Sequence, residues 1–198
     1  MSAESAPAFY KLESIQRHFQ RASAHLGREI LDNFEIGVAS FLTEDQPVIE
    51  SPLEGIFWIW WTALSLCDPY GSERFELVPQ FKVERNDYTY RLDFAVNLQD
   101  TYLVAEANRL GLFWKRIAIE LDGHEFHERT VEQVIARDQR DRNLHAADWE
   151  IFHFSGTELH QQPVACVRQV LECSDKAWME FTVELRHLKR RHNPGAIV

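Results

Sequence analysis

The stretch Tyr88-Thr-Tyr-Arg-Leu-Asp93-Phe-Ala-Val-Asn-Leu98 places large apolar residues at Tyr90, Leu92, Phe94, Val96 and Leu98. That is a period of two, the repeat of a β-strand whose successive side chains point to opposite faces. Asp93 therefore falls on the other face, between Arg91 and Ala95. A second stretch, Trp114-Lys-Arg-Ile-Ala-Ile-Glu120-Leu-Asp122-Gly123, repeats the pattern. Ile117, Ile119 and Leu121 share one face and leave Ala118, Glu120 and Asp122 on the other. Together the two stretches predict strands that, if paired, carry three carboxylates on one polar face.

Neighbouring strands lie about 4.8 Å apart. Mg²⁺ takes oxygen ligands at about 2.1 Å, so carboxylates on adjacent strands can share one ion. Two unit charges 4 Å apart repel by about 4 kcal/mol at an effective dielectric near 20, so such a cluster calls for a cation, an arginine or a raised pKa. Acidic residues on a half-exposed sheet are also ordinary solvated surface. What sets these apart is their company: Gly123 ends the strand in a turn, and His124, Glu125, His127 and Glu128 follow at once. In open α/β sheets, sites form at strand ends.

Outward from these strands, the order of elements is readable. Leu12, Ile15, Phe19, Ala22, Leu26 and Ile30 recur at three- and four-residue steps, predicting an amphipathic helix from Tyr10 to about Leu31. A looser stretch spans 33–50. Ser51-Pro-Leu-Glu54 is a helix start, with serine as N-cap, proline at the first position and glutamate closing a capping box. That helix runs to about Cys67, where Gly71 and Ser72 break the pattern before a first strand over 75–84. A helix is predicted from Thr130 to Ala147 with a wholly polar centre, Arg137-Asp-Gln-Arg-Asp-Arg142, then a strand from Trp149 to Phe154. Beyond Gln162 the chain is helical again, with Ser174-Asp175 as a break between two helices.

With 198 residues and 45% hydrophobic content, the chain suffices for one sizeable core. A net charge of −10 argues against a general electrostatic binder of nucleic acid, so any such role rests on a local basic patch. Arg129, Arg137, Arg140 and Arg142 form one candidate, interleaved with acids, and Arg186-His-Leu-Lys-Arg-Arg191 a second without them. Three cysteines, an odd number with no CxxC pair, suggest reduced thiols and a cytoplasmic setting. The opening residues lack the basic and apolar character of a signal sequence, and the apolar run from Ile56 to Leu66 is too short to span a bilayer.

The α-β-β-β-α-β order, with Asp93 on the second strand and Glu120-Leu-Asp122-Gly123 on the third, resembles the PD-(D/E)xK nuclease superfamily. More narrowly it is similar to the branch around the very short patch repair endonucleases and their bacterial relatives. Ser51-Pro-Leu-Glu54, Tyr90-Arg-Leu-Asp-Phe94, Glu120-Leu-Asp-Gly-His-Glu-Phe-His127 and the Arg137 to Leu144 helix followed by Trp149-Glu-Ile-Phe152 carry the resemblance, over roughly residues 51–160. It implies a restriction-endonuclease-like α/β core, a mixed central sheet flanked by helices, over 51–160. A helical extension would precede it over 1–50, and another, packed on the core, would follow over 161–198.

The resemblance further implies an Mg²⁺- or Mn²⁺-dependent endonuclease acting on DNA, with RNA left open as a substrate and no membrane partner. Asp93, Glu120 and Asp122 would hold the metal. His127, with His124 as second choice, would carry the proton, and Glu54 would be a supporting acid. Arg137, Arg140, His124 and Gln80 are the candidate nucleic-acid contacts. Three positions depart from the family pattern: Asp122 stands where lysine is usual, Leu92 where proline is, and Asp148 where glycine is. The capping box accounts for Glu54 equally well, and neighbouring Asp138 and Asp141 allow Arg137 and Arg140 to be a solvated ion-paired helix face. Two alternatives are a nuclease-fold binding module without chemistry and a transition-metal enzyme using His124, His127, His145 or His153.

Overall fold

The computed structural model of the chain describes residues 28–41, 49–67, 74–85, 87–123 and 130–192. Its elements are α1 (Arg28–Phe41), α2 (Pro52–Cys67), β1 (Phe75–Arg85), β2 (Tyr88–Leu98), α3 (Thr101–Arg109), β3 (Arg116–Asp122), α4 (Val131–His145), β4 (Trp149–Ser155), α5 (Gly156–Gln161) and α6 (Pro163–His192). The protein is mixed α/β, with a four-stranded open sheet in the order β1-β2-β3-β4. β1 with β2 and β2 with β3 are antiparallel, whereas β3 and β4 are parallel. A parallel pair needs a long crossover, and α4 supplies it. No helix among the described residues is long and apolar enough to cross a membrane.

The sheet separates two apolar layers. On one face, Phe94 and Val96 of β2, Ile117 and Ile119 of β3 and Phe154 of β4 meet α2 and α6. α2 is apolar almost all round because α1 covers its far side. Phe34 lies 4.5 Å from Trp60 between ring centroids, and Gly37 permits close approach to the Ile59 carbonyl. On the other face, Val83, Leu92, Ala95, Ala118 and Trp149 pack with Leu144 of α4. Thr130 and Gln133 form a reciprocal capping box that starts α4. Asp148, at φ 61°, turns the chain into β4 through the left-handed region, which aspartate tolerates better than most residues, so glycine is dispensable there.

Four local expectations are corrected. The sequence reading passes over α3, although Asp100 caps it through Leu103 N at 2.8 Å and Leu103, Val104, Ala107 and Leu110 keep helical spacing. Ser174 does not break the C-terminal helix. It is fully buried, its hydroxyl donates to the Val170 carbonyl at 2.8 Å, and Val167, Val170, Ala177, Phe181 and Leu185 continue one stripe past it. Residues 33–41, expected to be loose, belong to α1 because Phe34 and Gly37 pack on α2. Finally, the apolar alternation of β2 changes face: Leu92 joins the α4 layer while Phe94 joins the α2 layer. The change falls where the β1–β2 ladder skips a rung, with Pro79 paired to Phe94, Phe81 to Leu92, and Gln80 at φ 51° between them. The expected first helix lies, up to residue 27, outside the described residues, as do Gly71 and Ser72.

Candidate functional site

Glu120 and Asp122 stand at the end of β3 on the α4 face, because Ile117 and Ile119 at the alternate positions are drawn into the α2 layer. The parallel register sets His153 of β4 beside Glu120, facing the same helix. On the other flank, the β2–β3 ladder ends at the pair Phe94 and Ile119, one rung short of Asp93 and Glu120. There the Asp93 carboxylate accepts the backbone N–H of Leu121 at 2.7 Å, replacing a backbone partner with a side chain. The three carboxylates read from the sequence thus meet at one fork in the sheet.

α4 closes over them, and its polar centre is only partly the solvated face that its composition suggests. Arg140 reaches down to form an ion pair with Glu120. Asp141 holds His153 Nε2 at 3.0 Å, and His153 Nδ1 lies 3.7 Å from Asp122. Arg137 pairs with its neighbour Asp138 at 3.3 Å. A cavity of about 430 Å³ opens between helix and sheet, lined by Tyr90, Glu120, Asp122, Arg137, Arg140 and His153.

Glu54, at the start of α2, is 4% exposed. Its backbone N–H donates to the Ser51 hydroxyl at 3.2 Å, as a capping box requires. Its carboxylate, however, accepts from Glu50 N at 3.0 Å, one residue before the expected partner, and also from Gln80 Nε2 at 2.8 Å. Cap and site are therefore not exclusive: the kink that gives Gln80 its positive φ also brings its amide to Glu54. Gln80 is a scaffold for Glu54, and its buried Oε1 has no hydrogen-bond partner among the described residues.

Electrostatics records the crowding. Burial pushes the Glu120 carboxyl up to about 7; Arg140 opposes the rise and the Asp93 charge adds to it. Asp93 is also raised, first by burial and then by Glu54, against the lowering effect of the Leu121 N–H. His153 is raised chiefly by the Asp122 carboxylate close to Nδ1, with Asp141 assisting and burial opposing. Burial is thus the main reason these carboxyls resist ionisation, and Arg140 only partly offsets it.

A divalent metal can be judged by this donor set. Asp93, Glu120 and Asp122 supply the hard oxygen ligands that Mg²⁺ and Mn²⁺ take, in a place where added positive charge relieves strain. As they stand, no group of three or more His, Cys, Asp or Glu among the described residues is gathered to hold a metal ion. Glu120 is engaged by Arg140 and Asp93 by the Leu121 N–H, so a metal would have to compete for both. In donor chemistry the three carboxylates suit such an ion.

His124 and His127, with Glu125 and Glu128, lie outside the described residues. His145 bonds the Trp149 carbonyl at 3.1 Å while His153 bonds Asp141, so these two do not form a shared imidazole site. In the sequence His153 is one of four candidate histidines and Asp141 only an ion-pairing neighbour of the helix arginines; the local signal for His153 is its place as the polar residue between Phe152 and Phe154. No family model, curated protein or solved structure matches the chain.

Proposed function

We propose that the chain is a metal-dependent nuclease with a restriction-endonuclease-like core of the PD-(D/E)xK type, cleaving phosphodiester bonds in DNA. The observation that carries the reading is the convergence of Asp93, Glu120 and Asp122 at one sheet fork beside an arginine-lined cavity, with Glu120 destabilised as an anion. The sheet order, antiparallel twice and then parallel, with α2 before it and α4 in its crossover, supports the same core.

In this reading Asp93 and Glu120 hold Mg²⁺ or Mn²⁺, and Asp122 binds it directly or through water. Such an ion would polarise a phosphoryl oxygen and acidify a bound water. Glu54, fixed by Gln80 and the Glu50 N–H, sets its carboxylate near Asp93. Arg140 and Arg137 face the cavity where a phosphate would enter. His127, with His124 second, follows closely enough on Asp122 in sequence to carry the proton, a role that an imidazole fills near neutrality.

A second reading, a nuclease-fold module that binds without cleaving, is favoured by one feature: Arg140 already neutralises Glu120. Incubating purified protein with supercoiled, linear and single-stranded DNA, and with RNA, under Mg²⁺, Mn²⁺ or chelator separates the two. Cleavage that needs metal and disappears in Asp93→Ala supports the nuclease. No cleavage under any metal, or equal cleavage by Asp93→Ala, overturns it, and binding indifferent to chelator then supports the module.

A further inference from the structure

We propose that Arg140 couples the two halves of this site, holding Glu120 while no cation is bound and moving to a phosphate when a divalent cation takes that carboxylate. The inference rests on the metal-site reading above and adds a specific order of partner exchange. Its first support is geometric. Arg140 lies on α4, its guanidinium pairs across the cavity floor with Glu120, and its Nε is buried with no hydrogen-bond partner among the described residues. The side chain is therefore committed to one carboxylate with bonding capacity left over.

The second support is charge. A guanidinium does not deprotonate in a protein, so Arg140 cannot lose its charge to admit a cation. A dication on Glu120 would sit against that fixed positive charge, and repulsion leaves the guanidinium to find another anion. The opening it can move into is the cavity, which it already lines with Arg137 one turn earlier on the same helix. A planar fork of N–H donors suits a phosphate there, bidentately. If the cation frees Arg140 and the phosphate retains it, each ligand tightens the other, and linkage makes the effect equal in both directions.

Calorimetric titration of the full chain with Mn²⁺, with and without dimethyl phosphate as a phosphodiester that resists cleavage, reads this directly. In the unaltered protein dimethyl phosphate should tighten Mn²⁺ binding by about fivefold or more, the lower end of ordinary coupling. Arg140→Gln, which keeps a donor for Glu120 without the charge, should bind Mn²⁺ more tightly than the unaltered protein and show no gain from dimethyl phosphate. Lys82→Gln, which removes one exposed charge on β1, should behave as the unaltered protein. Equal or weaker Mn²⁺ binding by Arg140→Gln, or coupling that survives in it, overturns the exchange while leaving the metal site standing. Failure of every variant to bind Mn²⁺, or binding undiminished by Asp93→Ala, overturns the metal reading and the exchange with it.

Discussion

The Asp93 carboxylate accepts the backbone N–H of Leu121 at 2.7 Å, so a side chain of β2 closes the ladder that its backbone leaves one rung earlier. This bond keeps β2 and β3 joined while they diverge enough to admit a site between them. Asp93→Ala should leave the Leu121 N–H without its acceptor and cost about 1–3 kcal/mol, the penalty of a stranded buried donor. Asp93→Asn retains an acceptor oxygen and should fold with nearly unaltered stability while losing Mn²⁺ affinity. Urea denaturation alongside Mn²⁺ titration of both variants checks the split.

The Glu120 carboxyl, ordinarily near 4.5, is pushed up to about 7 by burial and the neighbouring Asp93 charge. Between those values the folded chain keeps a proton that the unfolded chain has released, so stability should fall as pH rises through the window. The full displacement is at most about 3 kcal/mol at 1.36 kcal/mol per unit. Asp93 and His153, both raised, act with the same sign: the stability His153 adds is complete below its ordinary 6.5 and is lost as pH rises through its higher folded value. Glu120→Gln should therefore gain on the unaltered protein as pH rises from 5 to 8 and keep only the slope that Asp93 and His153 contribute. Denaturation midpoints at pH 5 and pH 8 test this.

Glu54 makes three hydrogen bonds at once: its own N–H donates to the Ser51 hydroxyl, and its carboxylate accepts from the Glu50 N–H and from Gln80 Nε2. Glu54→Ala removes the acceptor for the Glu50 and Gln80 donors at a buried position and should destabilise by about 2–3 kcal/mol, from stranded donors and a weakened helix start. Glu54→Gln should recover part of that loss, because an amide oxygen still accepts one bond. Chemical denaturation of the pair, with thermal melting as a second measure, gives the comparison.

Gly37 sits where a β-carbon would come 2.7 Å from the Ile59 carbonyl oxygen, closer than side chains pack. Gly37→Ala should force α1 away from α2 and loosen the contact between Phe34 and Trp60, costing about 1–3 kcal/mol as overpacking does, despite alanine's better helix propensity. The near-ultraviolet circular dichroism of the tryptophans and the urea midpoint should both move.

The strands were legible because their signals are local. β2 falls on Tyr88–Leu98 as the alternation places it, and the polar set on β3 faces away from Ile117 and Ile119 as expected. Where local signals compete with packing, packing wins. Ser174 and Asp175 look like a break, yet a buried hydroxyl bonded to Val170 lets the helix run on. Leu92 looks like part of one apolar stripe, yet the skipped rung beside Gln80 rotates it to the other face. α3 is faint in the sequence although its cap and spacing are present, for its only fully buried residue is Ala107 and little apolar mass announces it.

By itself the sequence determined which residues form the strands and which face of β3 carries Glu120 and Asp122, because side-chain alternation there fixes faces before any contact forms. Tertiary structure alone decided who answers those charges. That Arg140 goes to Glu120 while its neighbour Asp141 takes His153, and that Gln80 reaches Glu54 across 26 residues, depends on where α4 crosses the sheet and where β1 kinks. Burial then sets how strongly each charge is felt, lifting Glu120 to about 7 beside a paired arginine. Crossing geometry and desolvation are properties of the assembled layers, which no local spacing of residues encodes.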